Sequence, residues 1–311
     1  MKSAANDQNR DVAGSYRDER GPLLSEDFVR RLESLDLVSR KIIKGKLRGE
    51  RRSRQRGHSV EFDDYRPYSP GDDLRFLDWN IFGRLDRLFI KLFLEEQDLA
   101  FEVLVDSSGS MDYGAPNKFR YAQKLAAALA SVGLSNDCRV SITALNDQLG
   151  ARMPALRGRR SLPRMLRFVE DLEPAGGTDL GAAVHGFARQ KSGKGLVVLI
   201  SDFLDRGGCD AALRALMARR CEVFCLQVLS PQELEPSLAG DLELVDVEDG
   251  DQSSVTISAP LLASYRRVVG AFIDRLRRDC TGRGIGFAYA STGQRFEQLV
   301  LGTLRNRGLL R

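Results

Sequence analysis

Residues 196–203, LVVLISDF, are apolar at five consecutive positions before Ser201 and Asp202. In a half-buried strand apolar side chains alternate with polar ones, so a run apolar on both faces needs cover on both. This run therefore reads as a central strand with helices on either side. The surroundings agree. AFEVLVD (100–106) leads into a helical stretch Lys118–Leu134, and RVSITAL (139–145) leads into a possible paired strand at 148–156 and helices near 161–172 and 179–191. Beyond LVVLISDF follow a helix at 209–220, a strand at 221–229, a hairpin around Asp249-Gly250-Asp251, a helix at 260–280, a strand at 285–290 and a helix at 293–305. Such alternation predicts an α/β class with a mainly parallel sheet covered by helices. LFIKLFL (88–94) is read as the first strand of the series.

The chain has 311 residues, 42% hydrophobic and 29% charged, with a formal net charge of +4, which excludes disorder as its main state. A chain of this length buries enough surface to need neither disulfides nor a structural metal. The five cysteines, Cys138, Cys209, Cys221, Cys225 and Cys280, are odd in number and contain no two-residue gap, so reduced thiols are expected. Cys221 and Cys225 are spaced as small buried hydrophobes on one strand face. The longest nearly uncharged stretch, Leu125–Leu134, is about half the roughly 20 residues a membrane span requires. Residues 1–20 carry no apolar run of the secretory kind, so a cytoplasmic location is expected.

Three segments are expected: a flexible tail at 1–20, an N-terminal segment at 21–95 and the α/β domain with a C-terminal extension at 96–311. In the second, Phe28, Leu32, Leu35, Val38 and Ile42 predict a helix over Ser25–Lys44 with Ser25 as its N-cap. Residues 45–86 read as irregular or short-stranded, with a turn at Pro70-Gly71 inside PGDDLRFLDWN; Trp79 there reads as a packing residue. Residues 40–56 hold nine Lys/Arg against one Glu, and residues 241–251 hold six acids and no base. The basic run could neutralise phosphates, meet an acidic surface, or be a solvated face. It has no aromatic platform for stacking bases, which disfavours nucleic acid.

In an open α/β sheet ligands bind beyond the carboxyl ends of the strands. Three places qualify. Asp106, Ser108 and Ser110 follow AFEVLV, Thr178 lies in a Gly-Gly-Thr-Asp turn, and Asp202 ends LVVLIS. Three hydroxyls and two carboxylates at one sheet edge suit a hard divalent cation with oxygen ligands, magnesium or manganese. An ion held mainly by hydroxyls keeps residual positive charge and an open position for an incoming carboxylate. Asp-x-Ser-x-Ser alone arises by chance in about one chain in ten. Asp106, Ser110, Thr178, Asp179 and Asp202 could also act simply as helix caps.

The set Asp106-x-Ser108-x-Ser110, Thr178 and Asp202 resembles the metal-ion-dependent adhesion site of von Willebrand factor A domains. With GHSVEFDDYRPYSPGDDLRFLDWN upstream, the chain is similar from about residue 45 to 205 to the bacterial family called domain of unknown function 58, and more loosely beyond. The resemblance implies a Rossmann-like von Willebrand factor A domain and a magnesium-type ion. Ser108 and Ser110 would be direct ligands, Thr178 direct or through water, Asp106 and Asp202 through water or behind the ligands. It also implies association with a MoxR-type AAA+ ATPase. The resulting expectation is a non-catalytic interaction module, an adaptor or co-factor of that ATPase in chaperone-like assembly or regulation, which binds an acidic side chain of its protein partner. Some family members carry two N-terminal membrane helices, and no such runs occur in this sequence.

The alternative is a magnesium-dependent phosphohydrolase or nuclease working in the same crevice. A strand-end Asp nucleophile of the haloacid dehalogenase kind needs a second carboxylate two residues on, and that position is Ser108. Only His58 and His185 are available as imidazole bases, neither in a hydrolase-like context; His185 reads as structural and His58 as a solvated loop residue. No P-loop motif occurs, so ATP use would belong to a partner. Gly282-x-Gly284-x-Gly286 precedes a strand instead of joining strand to helix, unlike a dinucleotide fingerprint.

Overall fold

The computed structural model describes residues 21–37, 61–94, 99–190, 195–219, 221–238, 240–245 and 252–311. The chain forms two compact units, one of residues 1–39 with 99–311 and one of residues 40–98. The expected tail 1–20, the basic run 40–56, His58 and the Asp249-Gly250-Asp251 turn lie outside the described residues.

In the larger unit the first helix, α1 (Glu26–Leu32), is N-capped by Ser25, whose side chain accepts from the Phe28 N–H at 3.3 Å. It ends far short of the expected Lys44. Beyond Leu32 the chain turns to pair with the C-terminus: Asp36 and Arg311 exchange backbone hydrogen bonds at 3.1 and 2.9 Å, and Leu37 bridges Leu310. Leu35 and Leu310 are buried by that pairing, so an extended backbone serves the core better here than another helical turn.

The smaller unit pairs β1 (Glu61–Pro67) with β2 (Phe89–Leu94), antiparallel. This corrects the reading of LFIKLFL as part of the main sheet. Only five residues separate Leu94 from Ala100, whereas a parallel crossover needs a dozen or more. Between the strands, Asp72 N–H donates to Ser69 C=O at 3.0 Å and Gly71 has φ +102°, a turn with Pro first and a left-handed Gly second. Asp78 caps α2 (Trp79–Leu85) by accepting from the Asn80 and Ile81 N–H groups at 2.8 and 3.1 Å. Trp79 is 65% exposed, with its ring edge-on to Phe82, so it does not pack as expected.

Asp78 is also the unit's electrostatic centre. The Lys91 ammonium at 3.0 Å, against the opposing effect of burial, and the two backbone donors, with the Tyr65 hydroxyl at 3.1 Å, hold its carboxyl down to about 2. A depressed carboxylate pKa contributes stability that is complete above the unfolded-state value and is lost as pH falls through the folded one. Trp79 is the sole tryptophan. Its fluorescence should therefore stay constant down to about pH 4 and change between about pH 4 and 2. In Asp78→Ala the acid transition should vanish and the spectrum at pH 7 should already resemble the acid form. An unchanged titration in the variant would remove Asp78 as the cause.

The larger unit is an α/β fold around a mixed, mostly parallel six-stranded sheet. Its strands are β3 (Ala100–Asp106), β4 (Arg139–Leu145), β5 (Leu149–Leu156), β6 (Gly195–Ser201), β7 (Glu222–Leu229) and β10 (Gly286–Ser291). Their order is β10-β7-β6-β3-β4-β5, all neighbours parallel except β4 and β5. Three residues, Asn146–Gln148, join β4 to β5, a link that only an antiparallel hairpin can use. β8 (Gly240–Val245) and β9 (Gln252–Ile257) make a separate antiparallel pair, as the expected hairpin requires.

Every inner strand divides its side chains between two cores. Phe101, Val103 and Val105 of β3, with Val198 and Ile200 of β6, join one cluster with α3 (Lys118–Ser135) and α1. Leu104, Val197 and Leu199 join the other with α5 (Leu180–Ala188) and α6 (Asp210–Met217), to which α8 (Ala259–Gly282) adds Leu276 and Cys280. Small residues let α3 lie close to the sheet: a methyl added at Gly133 would stand 2.6 Å from the Phe101 ring. α4 (Leu162–Glu170) closes the first core with Met165 and Val169. α7 (Pro231–Leu234) is a single capped turn after β7.

The expected helix at 293–305 is interrupted. Short α turns at Phe296–Gln298 and Leu304–Asn306 flank a π segment, Leu299–Thr303. Buried Leu299 and Leu304 are five residues apart, a spacing that shares a face in a π turn but not in an α-helix. Gly282 to Gly286 joins α8 to β10 and so lacks the strand-to-helix order of a nucleotide fingerprint. The five cysteines are free thiols, and Cys221 and Cys225 lie in the same core. No helix among the described residues is long and apolar enough to cross a membrane.

Candidate functional site

The strand order reverses at β3: the chain goes on from β3 to β4 and β5 on one flank and returns to β6 on the other. The crevice at such a switch point is where α/β sheets place ligands. Asp106 ends β3 there. In the parallel register Val105 pairs with Ile200, so Asp106 and Ser201 come level and Asp202 lies one residue beyond.

The five expected residues meet at this edge. Asp106 is buried; its Oδ1 accepts from the Ser108 N–H at 3.0 Å and Oγ at 2.7 Å, and its Oδ2 accepts from Ser201 Oγ at 2.5 Å. Ser108 Oγ lies 3.0 Å from Ser110 Oγ, which lies 3.4 Å from Thr178 Oγ1. Backbone bonds fasten the Thr178 turn to the β3 loop: Gly109 N–H donates to Gly176 C=O at 2.9 Å, and Ala175 N–H to Ser107 C=O at 2.8 Å. Gly176 has φ +79°, which a side chain would strain. Asp205, after β6, accepts from the Leu180 N–H at 2.9 Å and ties that turn's helix to the other strand.

The capping duties fall to Asn117 and to Asp179, the second of them among the expected caps. Asn117 caps α3 by accepting from the Arg120 N–H at 3.0 Å, and Asp179 caps α5 by accepting from the Ala182 N–H at 2.7 Å. Asp106, Ser110 and Thr178 cap neither helix. Asp202 caps nothing either: its Oδ1 accepts from the Leu204 N–H at 2.9 Å and its Oδ2 faces a cation.

That cation is Lys118, the first residue of α3, which the sequence reading passed over. Its Nζ is 2.6 Å from both Asp202 Oδ2 and Glu233 Oε1, and its side chain is 1% exposed. Burial works against its charge, but the two carboxylates outweigh burial and hold the ammonium well above the ordinary lysine range. Among the described residues no cation pairs with Asp106. Burial, then the nearby Asp202 charge, pushes its carboxyl up to about 6 despite its hydroxyl donors. The sequence signal for Lys118 was its position on KFRYAQKLAAALASVGLS, a helix buried almost all round, where a charge must find a partner. Ser201 and Glu233 were missed as well. His185 lies on the exposed face of α5.

The residues fit a small hard cation. In an octahedral shell with oxygens at about 2.1 Å, adjacent oxygens stand about 3 Å apart, close to the Ser108–Ser110 and Ser110–Thr178 separations. Among the described residues no group of three or more His, Cys, Asp and Glu is arranged to hold a metal, so such an ion would depend on hydroxyl ligands.

The chain matches, over residues 64–270, the model of a family described as a protein of unknown function, DUF58. An uncharacterized protein of Mycobacterium tuberculosis is 30% identical over 270 residues, spanning 85% of each chain. One from Mycobacterium avium is 33% identical over 135 residues, 42% of this chain and 79% of its own. Among solved structures, the conserved hypothetical protein BatB from Bacteroides thetaiotaomicron aligns with TM-score 0.42 at 15% identity, covering 67% of this chain and 98% of that one. An aerotolerance-related membrane protein from Bacteroides fragilis aligns with TM-score 0.44 at 18% identity, with the same coverage.

Proposed function

The chain belongs to the DUF58 family, and from that premise we propose that its larger unit is a von Willebrand factor A-like interaction module that captures a partner's carboxylate through a divalent cation. The observation that carries the reading is the hydroxyl triangle of Ser108, Ser110 and Thr178, set at the sheet's switch point against the buried carboxylate of Asp106. Magnesium or manganese would be held by these hydroxyls, with Asp106 behind Ser108 and Asp202 at most through water. The ion would supply an electrophilic position able to accept one more oxygen. With neutral hydroxyls as direct ligands and the carboxylates set behind them, the ion would keep an open electrophilic face, which favours an acidic side chain over water.

This chain's own residues do the positioning. Asp106 orients the Ser108 hydroxyl, Ser201 orients Asp106, and the sutured Gly176 turn brings Thr178 to Ser110. The reading is non-catalytic: Ser108 stands where a second acid/base carboxylate would be needed, and Asp202 is committed to Lys118. The partner we propose is a MoxR-type AAA+ ATPase in the cytoplasm, with this module as its adaptor or co-factor.

Calorimetric titration with magnesium and manganese tests the site. Saturable binding should appear, weaken by about tenfold or more in Ser110→Ala through loss of one ligand, and strengthen when the ATPase is present, because linkage is reciprocal. Capture of the ATPase should vanish in EDTA. Absence of ion binding both with and without the partner would overturn the reading.

A further inference from the structure

The ammonium of Lys118 adjoins the proposed ion site but belongs to none of its ligands. Nζ bridges Asp202 Oδ2 on one side and Glu233 Oε1 on the other, each at 2.6 Å, and lies 6.0 Å from the Tyr113 ring centroid. Glu233 reaches the same cluster from α7, where its Oε2 accepts from the Ser230 N–H at 2.7 Å and Oγ at 3.0 Å in a capping box. Asp106 completes it, near enough to Asp202 for their charges to interact. Fully ionised, Asp106, Asp202 and Glu233 with Lys118 leave two uncompensated negative charges, the amount one divalent cation neutralises. The ammonium also competes for the Asp202 oxygen that faces away from Leu204.

We infer that Lys118 is the affinity- and valence-setting residue of the crevice, a tethered cation that shares the carboxylates with the bound ion and makes the site suit a divalent charge. The inference rests on the proposed ion site. It gives each member of the cluster a signed role. Removing Lys118 deepens the negative field and frees Asp202, so cations bind more tightly and trivalent ones gain most. Neutralising Glu233 leaves the ammonium to Asp202 alone and weakens binding. A purely structural lysine would give no such ordering, because both changes would loosen the same packing. α7 is also tied to the loop before α3, Gln232 and Ala115 exchanging hydrogen bonds at 2.9 and 3.3 Å, so a shift of Lys118 toward Glu233 acts on an anchored element.

The test is magnesium and terbium affinity by calorimetry at pH 8, with the ion-induced shift in melting temperature as a second readout, on the full chain. Lys118→Met should tighten magnesium on the order of tenfold and terbium by more, and Glu233→Gln should weaken magnesium on the order of tenfold, each in the direction set by the sign of the charge removed from the cluster. The double variant restores the net charge and should return magnesium affinity to within about threefold of wild type. If Lys118→Met does not fold, Glu233→Gln carries the test. Glu233 is 15% exposed and Gln keeps an acceptor there. Shifts in the same direction, or none in Glu233→Gln while wild type binds magnesium, would overturn the role of Lys118 and leave the ion site standing. Absence of binding in every background would overturn both.

Discussion

Asp106→Asn should lose magnesium affinity by on the order of a hundredfold and, in chelator at pH 8, should be more stable than the wild type. The first effect follows from removing a buried negative charge directly behind the Ser108 hydroxyl. The second follows from the raised carboxyl. A folded-state pKa near 6 against an ordinary 3.8 means the native state holds the proton more tightly than the unfolded chain. The contribution of Asp106 to stability is then most favourable below about pH 4, falls between about pH 4 and 6, and stays low above. The difference of roughly two pKa units corresponds to about 3 kcal/mol at most. Asn removes that cost and keeps the shape. Its carbonyl can accept from Ser108, and its amide can donate to Ser201, a hydroxyl able to reverse its role. Urea unfolding in EDTA at pH 5 and pH 8 measures this directly. The wild type should be weaker at pH 8, and the variant should show little difference. A variant less stable than wild type at pH 8 would mean that the ionised Asp106 is already compensated without an ion.

The sheet was legible because its information is local. β3, β4, β6 and β7 begin and end within about a residue of the strand-like runs in the sequence; β6 is apolar on both faces, and β4 keeps its polar alternation only in the short, buried Ser141 and Thr143. What was not legible came from partners distant along the chain. Helix α1 stops where residue 36 meets residue 311, and the C-terminal helix takes a π turn to bury both Leu299 and Leu304. LFIKLFL has the composition of any core strand, and only the short link to β3 betrays that it belongs elsewhere. The same division holds at the site. Asp106, Ser108, Ser110, Thr178 and Asp202 could be picked out because each follows a strand or sits in a glycine turn. Lys118 could not be, because its carboxylates lie 84 and 115 residues away. A buried helix written with a lysine at its start announces a missing partner without naming it.

A large stability effect outside the crevice should come from Phe101→Ala. Phe101 is fully buried on β3, five residues before the strand reaches Asp106, and truncating such a ring costs about 3–5 kcal/mol. Its partner across the interface is Gly133 of α3, where an added methyl would stand 2.6 Å from the Phe101 ring and 2.8 Å from Val140. In the wild type, Gly133→Ala must therefore displace the ring or the helix, at about 1–3 kcal/mol, which outweighs the gain of about 1 kcal/mol from replacing a helical glycine. Once Phe101 is truncated, the ring no longer obstructs, and Val140 Cγ2, the remaining close neighbour at 2.8 Å, can give way into the cavity that the same methyl partly fills. Gly133→Ala should then stabilise the Phe101→Ala protein by about 1 kcal/mol, a coupling of about 2 kcal/mol between the two sites. Denaturant melts of the four proteins complete the cycle. Effects additive to within about 0.5 kcal/mol would show that α3 and β3 do not meet at this pair. The cycle also separates fold from site: neither residue touches a hydroxyl of the crevice, so magnesium affinity should be unchanged in the double variant while its stability is not.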